Sequence, residues 1–270
     1  MRMRRKRGCA ATVLGLVVLA VLQTSVLSAA ELAQRFQGNG WDSKVFRVTG
    51  PGAASVIHAE NGGLRITLPP EHGNKAACGL ALHQALKGDF DVAMEFEILQ
   101  VDQPTGGNGA GVSIWLTMVS RTNEAATIAF MKGKSGDSAF ISHRATTPEG
   151  GKRKHTVGHS SATLAKTGKL RFERRGPTLN YIVESAGKTE EIHTSQLGTG
   201  DIDMIRFAAD NGGSPTMVDV RIREITLRAD DLGGATLLPP RRRWFTLFNA
   251  GIAAIVIVGL GIAVHTYRSR

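Results

Sequence analysis

Trp115 is the residue whose type and placement most strongly suggest chemistry. Val112, Ile114, Leu116 and Met118 alternate as the apolar side of a strand, and Trp115 interrupts that row on the side it shares with Ser113 and Thr117. Because successive side chains of a strand point to opposite faces, the indole is expected on the wet face of a sheet. An aromatic plate beside acceptors is what a sugar-binding face requires, since the apolar side of a pyranose stacks on the ring while hydroxyls donate to carboxylates. Glu95 and Glu97 are the candidate acceptors: as positions i and i+2 of a strand they share a face at roughly 6.5 to 7 Å. If segments 89–99 and 110–120 pair as a hairpin, parity allows Glu95 or Glu97 opposite Trp115. The plain alternatives are a tryptophan covered by a loop and acids that solvate the wet side of an ordinary strand.

Other reactive side chains are less well placed. His155 and His159 are four apart, which suits a metal on a helix, but Val157-Gly158 and the basic run Lys152-Arg153-Lys154 read as an exposed loop, so no metal site is expected. Cys78 has no base near it in sequence except His83 and reads as a small buried hydrophobe. The loop Thr105-Gly106-Gly107-Asn108-Gly109 leads into a strand, so its glycines serve a turn and not a phosphate cradle, and no cofactor is expected. Outside the two ends, Trp41, Trp115 and Tyr181 supply the amphipathic rings, few for a long multi-subsite cleft.

The elements that position these residues are β throughout. Between Glu31 and Leu232, short alternating runs are separated by Gly, Asn, Asp and Pro, with no long segment of helical period. Phe90, Val92, Met94, Phe96 and Ile98 form one core row, with Asp89, Asp91, Glu95 and Glu97 on its wet side. Leu170 and Phe172 face Leu179, Tyr181 and Val183 across a turn at Arg175-Gly176-Pro177-Thr178. With Asn61-Gly62 as a tight turn, Ala59 pairs with Leu64, Ile57 with Ile66 and His58 with Arg65. Val218, Val220 and Ile222 alternate, then Ile225 and Leu227 resume one residue out of step, which predicts a β-bulge near Arg223-Glu224. About a dozen strands without an internal repeat give one all-β domain over 31–232, a two-sheet antiparallel jelly-roll sandwich.

The stretches Gly88–Val92, Gly109–Ser113, Gly168–Phe172, Ile205–Asp210 and Val218–Ile222 resemble concanavalin A-like lectin/glucanase domains, in particular the laminin-G-like and unknown-function versions of secreted bacterial proteins. The resemblance covers about residues 36 to 230. It implies the sandwich fold and opens two activities, glycan binding and glycan hydrolysis. The glucanases carry Glu-x-Asp-x-x-Glu on the strand after the one that resembles Gly111–Ser120. Here Glu124 matches, while Ala126 and Ala129 stand at the other two positions, so the resemblance implies that the hydrolytic machinery is missing.

The ends carry the charge and the address. The chain has 33 Lys+Arg against 23 Asp+Glu, but residues 1–30 and 241–270 hold five bases each and no acid, which leaves the middle neutral. A neutral body offers no phosphate attraction, so nucleic acid is not an expected partner. A basic head, an apolar stretch from Ala10 to Leu22 and the small residues Ser28, Ala29 and Ala30 read as a signal peptide over 1–30. Residues 233–243 read as a Pro/Arg linker, 244–264 as a transmembrane helix with Trp244 and Tyr267 at its edges, and 265–270 as a short cytoplasmic tail. The basic N-terminal flank sends the middle outward, giving a single-pass protein of the cell membrane with its domain extracytoplasmic. After signal cleavage Cys78 stands alone, so no internal disulfide can form. The expected function is a membrane-anchored binding module for a glycan of the cell envelope, with a structural or protein-interaction scaffold and a glucanase-type hydrolase as the other classes.

Overall fold

A computed structural model describes residues 29–235, apart from 39, 74–76, 119–123, 148–151 and 153. The segments read as signal peptide and membrane span, and most of the linker between domain and span, lie outside the described residues. Among the described residues no helix is long and apolar enough to cross a membrane. The elements are β1 (Ala30–Arg35), β2 (Phe46–Thr49), a single helical turn at Ala53–Val56, β3 (Ile57–Glu60), β4 (Gly63–Leu68), β5 (Cys78–Leu82), β6 (Gln84–Val101), β7 (Ala110–Met118) and β8 (Glu124–Lys132). They continue with β9 (Ser138–Thr146), β10 (Lys154–Ala162), β11 (Thr167–Arg175), β12 (Thr178–Ser185), β13 (Lys188–Gln196), β14 (Met204–Asp210) and β15 (Val218–Ala235).

These strands form two antiparallel sheets packed face to face, the all-β jelly-roll sandwich that the alternation predicts. The first sheet runs β13-β12-β11-β6-β15-β4-β3, with β1 also on β15, and the second runs β10-β9-β8-β7-β14-β5-β2. The core is the set of inward faces. Phe90, Val92, Met94 and Phe96 of β6 meet Val112, Ile114 and Leu116 of β7 and Ile205 and Phe207 of β14, all at most 1% exposed. Burying one such side chain contributes ~1.5–3 kcal/mol, which is why one wet and one dry face per strand suffices to set the architecture. Phe96 from the first sheet packs on Phe130 and Phe140 of the second at 5.8 and 6.5 Å between ring centres, tying the layers together.

Local pairings follow the sequence closely. Ile57 faces Ile66, His58 faces Arg65 and Ala59 faces Leu64 across the Asn61-Gly62 turn, where Gly62 takes φ +101°. Phe172 faces Tyr181 and Leu170 faces Val183. The phase change at Arg223-Glu224 is present, since Ile222 and Ile225 are both fully buried. It coincides with a change of neighbour: β15 pairs with β4 as far as Ile222 and with β1 from Glu224.

Two readings need correction. Segment 152–159 is not an exposed loop throughout, because Lys154–Ala162 forms β10, an edge strand on β9 whose register shifts between Val157 and Ser160. Basic residues and a glycine look like loop but also suit an edge, where charge discourages further pairing. Second, β6 and β7 do not form a hairpin. They are consecutive in sequence but belong to different sheets, with residues 102–109 carrying the chain from one layer to the other. Both strands have one apolar face, and those faces meet across the core rather than side by side. The crossing loop is locked on the 211–217 loop: a side chain on Gly107 would stand 2.1 Å from the Gly212 carbonyl oxygen, so Gly107 packs against it as only glycine can.

Candidate functional site

The outer face of the second sheet is laid out by its register. Trp115 on β7 has Arg206 of β14 on one side and Thr127 of β8 on the other. Beyond Thr127 come His143 of β9 and Val157 of β10; beyond Arg206 come Ala81 of β5 and Arg47 of β2. The next row holds Gly79, Ala208, Ser113 and Ala129, small and already buried, with Ile141 at its end. Trp115 is half-buried and stands outside the core cluster, on the wet side that its phase predicts. Its Nε1–H donates to Ser113 Oγ at 2.7 Å, which fixes the ring along its own strand. A half-buried ring held by a hydrogen bond has little rotamer freedom left to lose when a ligand stacks on it.

Glu95 and Glu97 are not brought to Trp115. They lie on β6 and face outward from the first sheet, across the full thickness of the sandwich. Lys169 binds Glu95 at 3.1 Å, and Arg221 and Arg223 bind Glu97 at 2.7 and 3.0 Å. A cleft of about 430 Å³ on that side includes Glu95, Lys169, Glu184 and Arg223, where the acids already have cationic partners. The hydrogen bonds from Arg223 and Arg221 outweigh burial and hold the Glu97 carboxyl below the usual glutamate range. A folded-state value below the unfolded one, ~4.3, stabilises the fold above that pH and is lost as pH falls through the folded value. The thermal midpoint should therefore drop on acidification below about pH 4.3, and Glu97→Gln should show a shallower drop over that window. Identical slopes would contradict this assignment.

The remaining candidates are placed as follows. His155 stacks on His143 with ring centres 5.2 Å apart, and His159 falls at the register shift of β10. No group of three or more metal-ligating side chains gathers among the described residues. Cys78 is fully buried in the core with His72 Nε2, not His83, at 3.5 Å from its sulfur. Tyr181 is buried in the core against Phe172, and its hydroxyl lies 3.2 Å from Ser195 Oγ. Glu124 Oε2 accepts the Gly198 N–H at 3.4 Å and lies 3.6 Å from Arg144. The pairing of β8 with β7 is continuous from Glu124 to Lys132, so Ala126 faces the core while Ala129 faces outward. The positions Glu124, Ala126 and Ala129 thus do not share one face, and the outward positions between them are Ala125 and Thr127.

Sequence reasoning did not single out Arg47, Arg206, His143 or Asp210, which share the Trp115 face. Their outward phase is readable for β14, where Arg206 alternates with Ile205 and Phe207, but which strands adjoin β7 is not. Asp210 sits at the end of this face opposite Gly111. Burial pushes its carboxyl up, while the Gly212 N–H at 2.8 Å and the charges of Arg206 and His72 pull the other way.

With the face laid out, comparisons give its context. Residues 19–249 match the family described as "Protein of unknown function (DUF1583) C domain". The chain belongs to that family. No curated protein matches the chain. Among solved structures, this DUF1583 C domain is similar to a legume lectin-like domain from Entamoeba histolytica, with TM-score 0.50 and 13% identity over 69% of this chain and 90% of that one. It is similar to LamAcat from Zobellia galactanivorans, with TM-score 0.51 and 9% identity over 73% of this chain and 96% of that one. A further similar structure is an immunostimulatory antigen and pseudo β-1,3-glucanase of Mycobacterium tuberculosis, with TM-score 0.51 and 7% identity over 73% and 98% of the two chains. At such identities the likeness concerns the concanavalin A-like fold, and the DUF1583 side chains must speak for themselves.

Proposed function

We propose that this DUF1583 C domain is a glycan-binding module that does not hydrolyse its ligand, and that sugar stacks on Trp115 at the outer face of the second sheet. The observation that carries the reading is the half-buried indole on the outer face, anchored through Ser113 beside small side chains. The shared fold with a lectin-like domain supports the class. A retaining glycosidase needs two carboxyl groups ~5 to 5.5 Å apart, one to protonate the leaving oxygen and one to attack. On the described part of this face the carboxylate is Asp210, and β8 presents Ala125, Thr127 and Ala129 instead. Stacking plus a few hydrogen bonds gives weak affinity, roughly −4 to −8 kcal/mol or millimolar to micromolar Kd, which many copies on one surface would strengthen.

The test is a panel of polysaccharides offered to the purified full chain, followed by both retention and released reducing ends. Retention without new reducing ends is expected. Hydrolysis that disappears in Glu124→Gln, Glu95→Gln or Glu97→Gln would contradict the reading, as would failure to retain any polysaccharide.

A further inference from the structure

The outer face of the second sheet has a direction. Trp115 donates from Nε1 to Ser113 Oγ at 2.7 Å, so the indole leans along β7 toward Gly111. Arg206, its neighbour on β14, leans the same way, because its guanidinium donates to the Ala77 carbonyl at 2.8 Å. Cys78 faces Ala209, which brings Ala77 to the side of Asp210. Both side chains therefore point to the end of the face where Asp210 stands opposite Gly111. Between the indole and that carboxyl group lie Ser113, Ala208 and Gly111, all buried at the level of the sheet. Gly111 must be glycine, because a Cβ there would stand 2.0 Å from the Phe130 carbonyl oxygen. Positions 113 and 210 are two residues along and one strand across from each other, roughly 8 Å at the backbone.

Asp210 is more than its turn requires. Its Oδ1 accepts the Gly212 N–H at 2.8 Å, the bond by which an Asp or Asn closes a short turn. An asparagine oxygen would accept the same N–H without a charge, and at this half-buried position burial disfavours the charge and pushes the carboxyl up. Arg206 and His72 offset that burial in part. What a carboxylate adds to an amide is acceptor capacity: it offers about four lone-pair sites, and the Gly212 bond takes one of them. Two neighbouring hydroxyls of one sugar can donate to such a group together, and hydrogen bonds to an ionised acceptor are about twice as strong as neutral ones.

From this arrangement we infer that Asp210 sets the specificity of the face, taking two adjacent free hydroxyls on one unit of a neutral glycan whose neighbouring unit stacks on Trp115. The glycan then runs along β7, from the indole over Ser113 and Gly111 to the carboxylate. The indole selects sugar, and Asp210 selects its hydroxyl pattern. An acidic sugar is disfavoured at this end, since its carboxylate would meet that of Asp210. This inference rests on the glycan reading and narrows it to a ligand class.

The experiment titrates the full chain with a soluble galactomannan, whose backbone units each keep two adjacent hydroxyls free, and with a soluble β-1,3-glucan, whose linkage occupies the carbon between its free ring hydroxyls. Galactomannan should bind about tenfold more tightly. Asp210→Asn keeps the turn bond and should bring galactomannan down to the level of the glucan, with the thermal midpoint close to wild type. Asp210→Glu keeps the charge but moves it by one methylene, and it should lose the gap as well, which provides a second reading should the asparagine variant fail to fold. Glu95→Gln on the opposite face should leave the gap intact. A gap that survives in a folded Asp210 variant, or that disappears in Glu95→Gln, would overturn the assignment of Asp210. Equal or tighter binding of the glucan, still dependent on Trp115, would overturn the inference and leave the glycan reading standing, as would retention of other glycans but neither of these two. Retention of no glycan at all would remove both readings.

Discussion

Replacing Arg174 with Met should cost the domain roughly 3 to 5 kcal/mol, because it strips a charged donor from three backbone carbonyls at about 1 to 3 kcal/mol each. Arg174 lies on β11 in phase with Leu170 and Phe172, so its side chain enters the sandwich, and it is 1% exposed. It survives there because it is saturated. Its guanidinium donates to the carbonyls of Gly88, Gly198 and Gly200 and lies over the Phe90 ring, 4.8 Å from its centre. Among the described residues no carboxylate forms an ion pair with it, although Asp89, Asp201 and Asp230 lie close enough to offset part of the burial that pulls its pKa down. Methionine would fill the space but leave three carbonyls without donors, each costing about 1 to 3 kcal/mol where water cannot reach. Lysine should not rescue, because one ammonium cannot span carbonyls on two separate segments. Chemical denaturation measures this as a lower midpoint at unchanged slope. A loss under about 1 kcal/mol for Arg174→Met would mean that water replaces the arginine.

The same residue shows what the sequence could and could not disclose. Leu170, Phe172 and Arg174 share a phase, so an arginine pointing into the core was visible in the pattern. Its partners were not, because Gly88 and Gly200 come close only through tertiary packing. The Asn61-Gly62 hairpin was readable to the residue, since a tight turn fixes its register locally. The partnership of β6 and β7 was misread for the complementary reason: alternation says which residues share a face of one strand, not which strand lies beside it. That error put Glu95 and Glu97 near Trp115, whereas the chain crosses to the other sheet before β7. Trp115 itself was legible from phase alone. Arg47 was not, because β2 has only four residues and its alternation, Phe46, Arg47, Val48, Thr49, is too short to distinguish from a loop.

The Trp115 face is the centre of the functional account, and stability and binding must be separated on it. The indole lies outside the core cluster, and its hydrogen-bond acceptor, Ser113 Oγ, is also 3.5 Å from the Ala208 carbonyl. Removing the ring should therefore cost about 1 kcal/mol, a shift of only a few degrees in the thermal midpoint. A ligand whose apolar side rests on that ring loses far more in relative terms, because stacking supplies much of a weak binding energy. Phe at this position keeps a plate without the Nε1–H anchor and should retain intermediate affinity.

The most direct measurement is glycan affinity and thermal midpoint on the same preparations of the full chain, for wild type, Trp115→Phe and Trp115→Ala. The account expects Trp115→Ala to lose at least about tenfold in affinity, or ~1.4 kcal/mol, with its midpoint within a few degrees of wild type. An unfolded Trp115→Ala variant would show that the indole is a core residue, and a folded one that binds as tightly as wild type would show that the ligand, if sugar, lies elsewhere; either result contradicts the account.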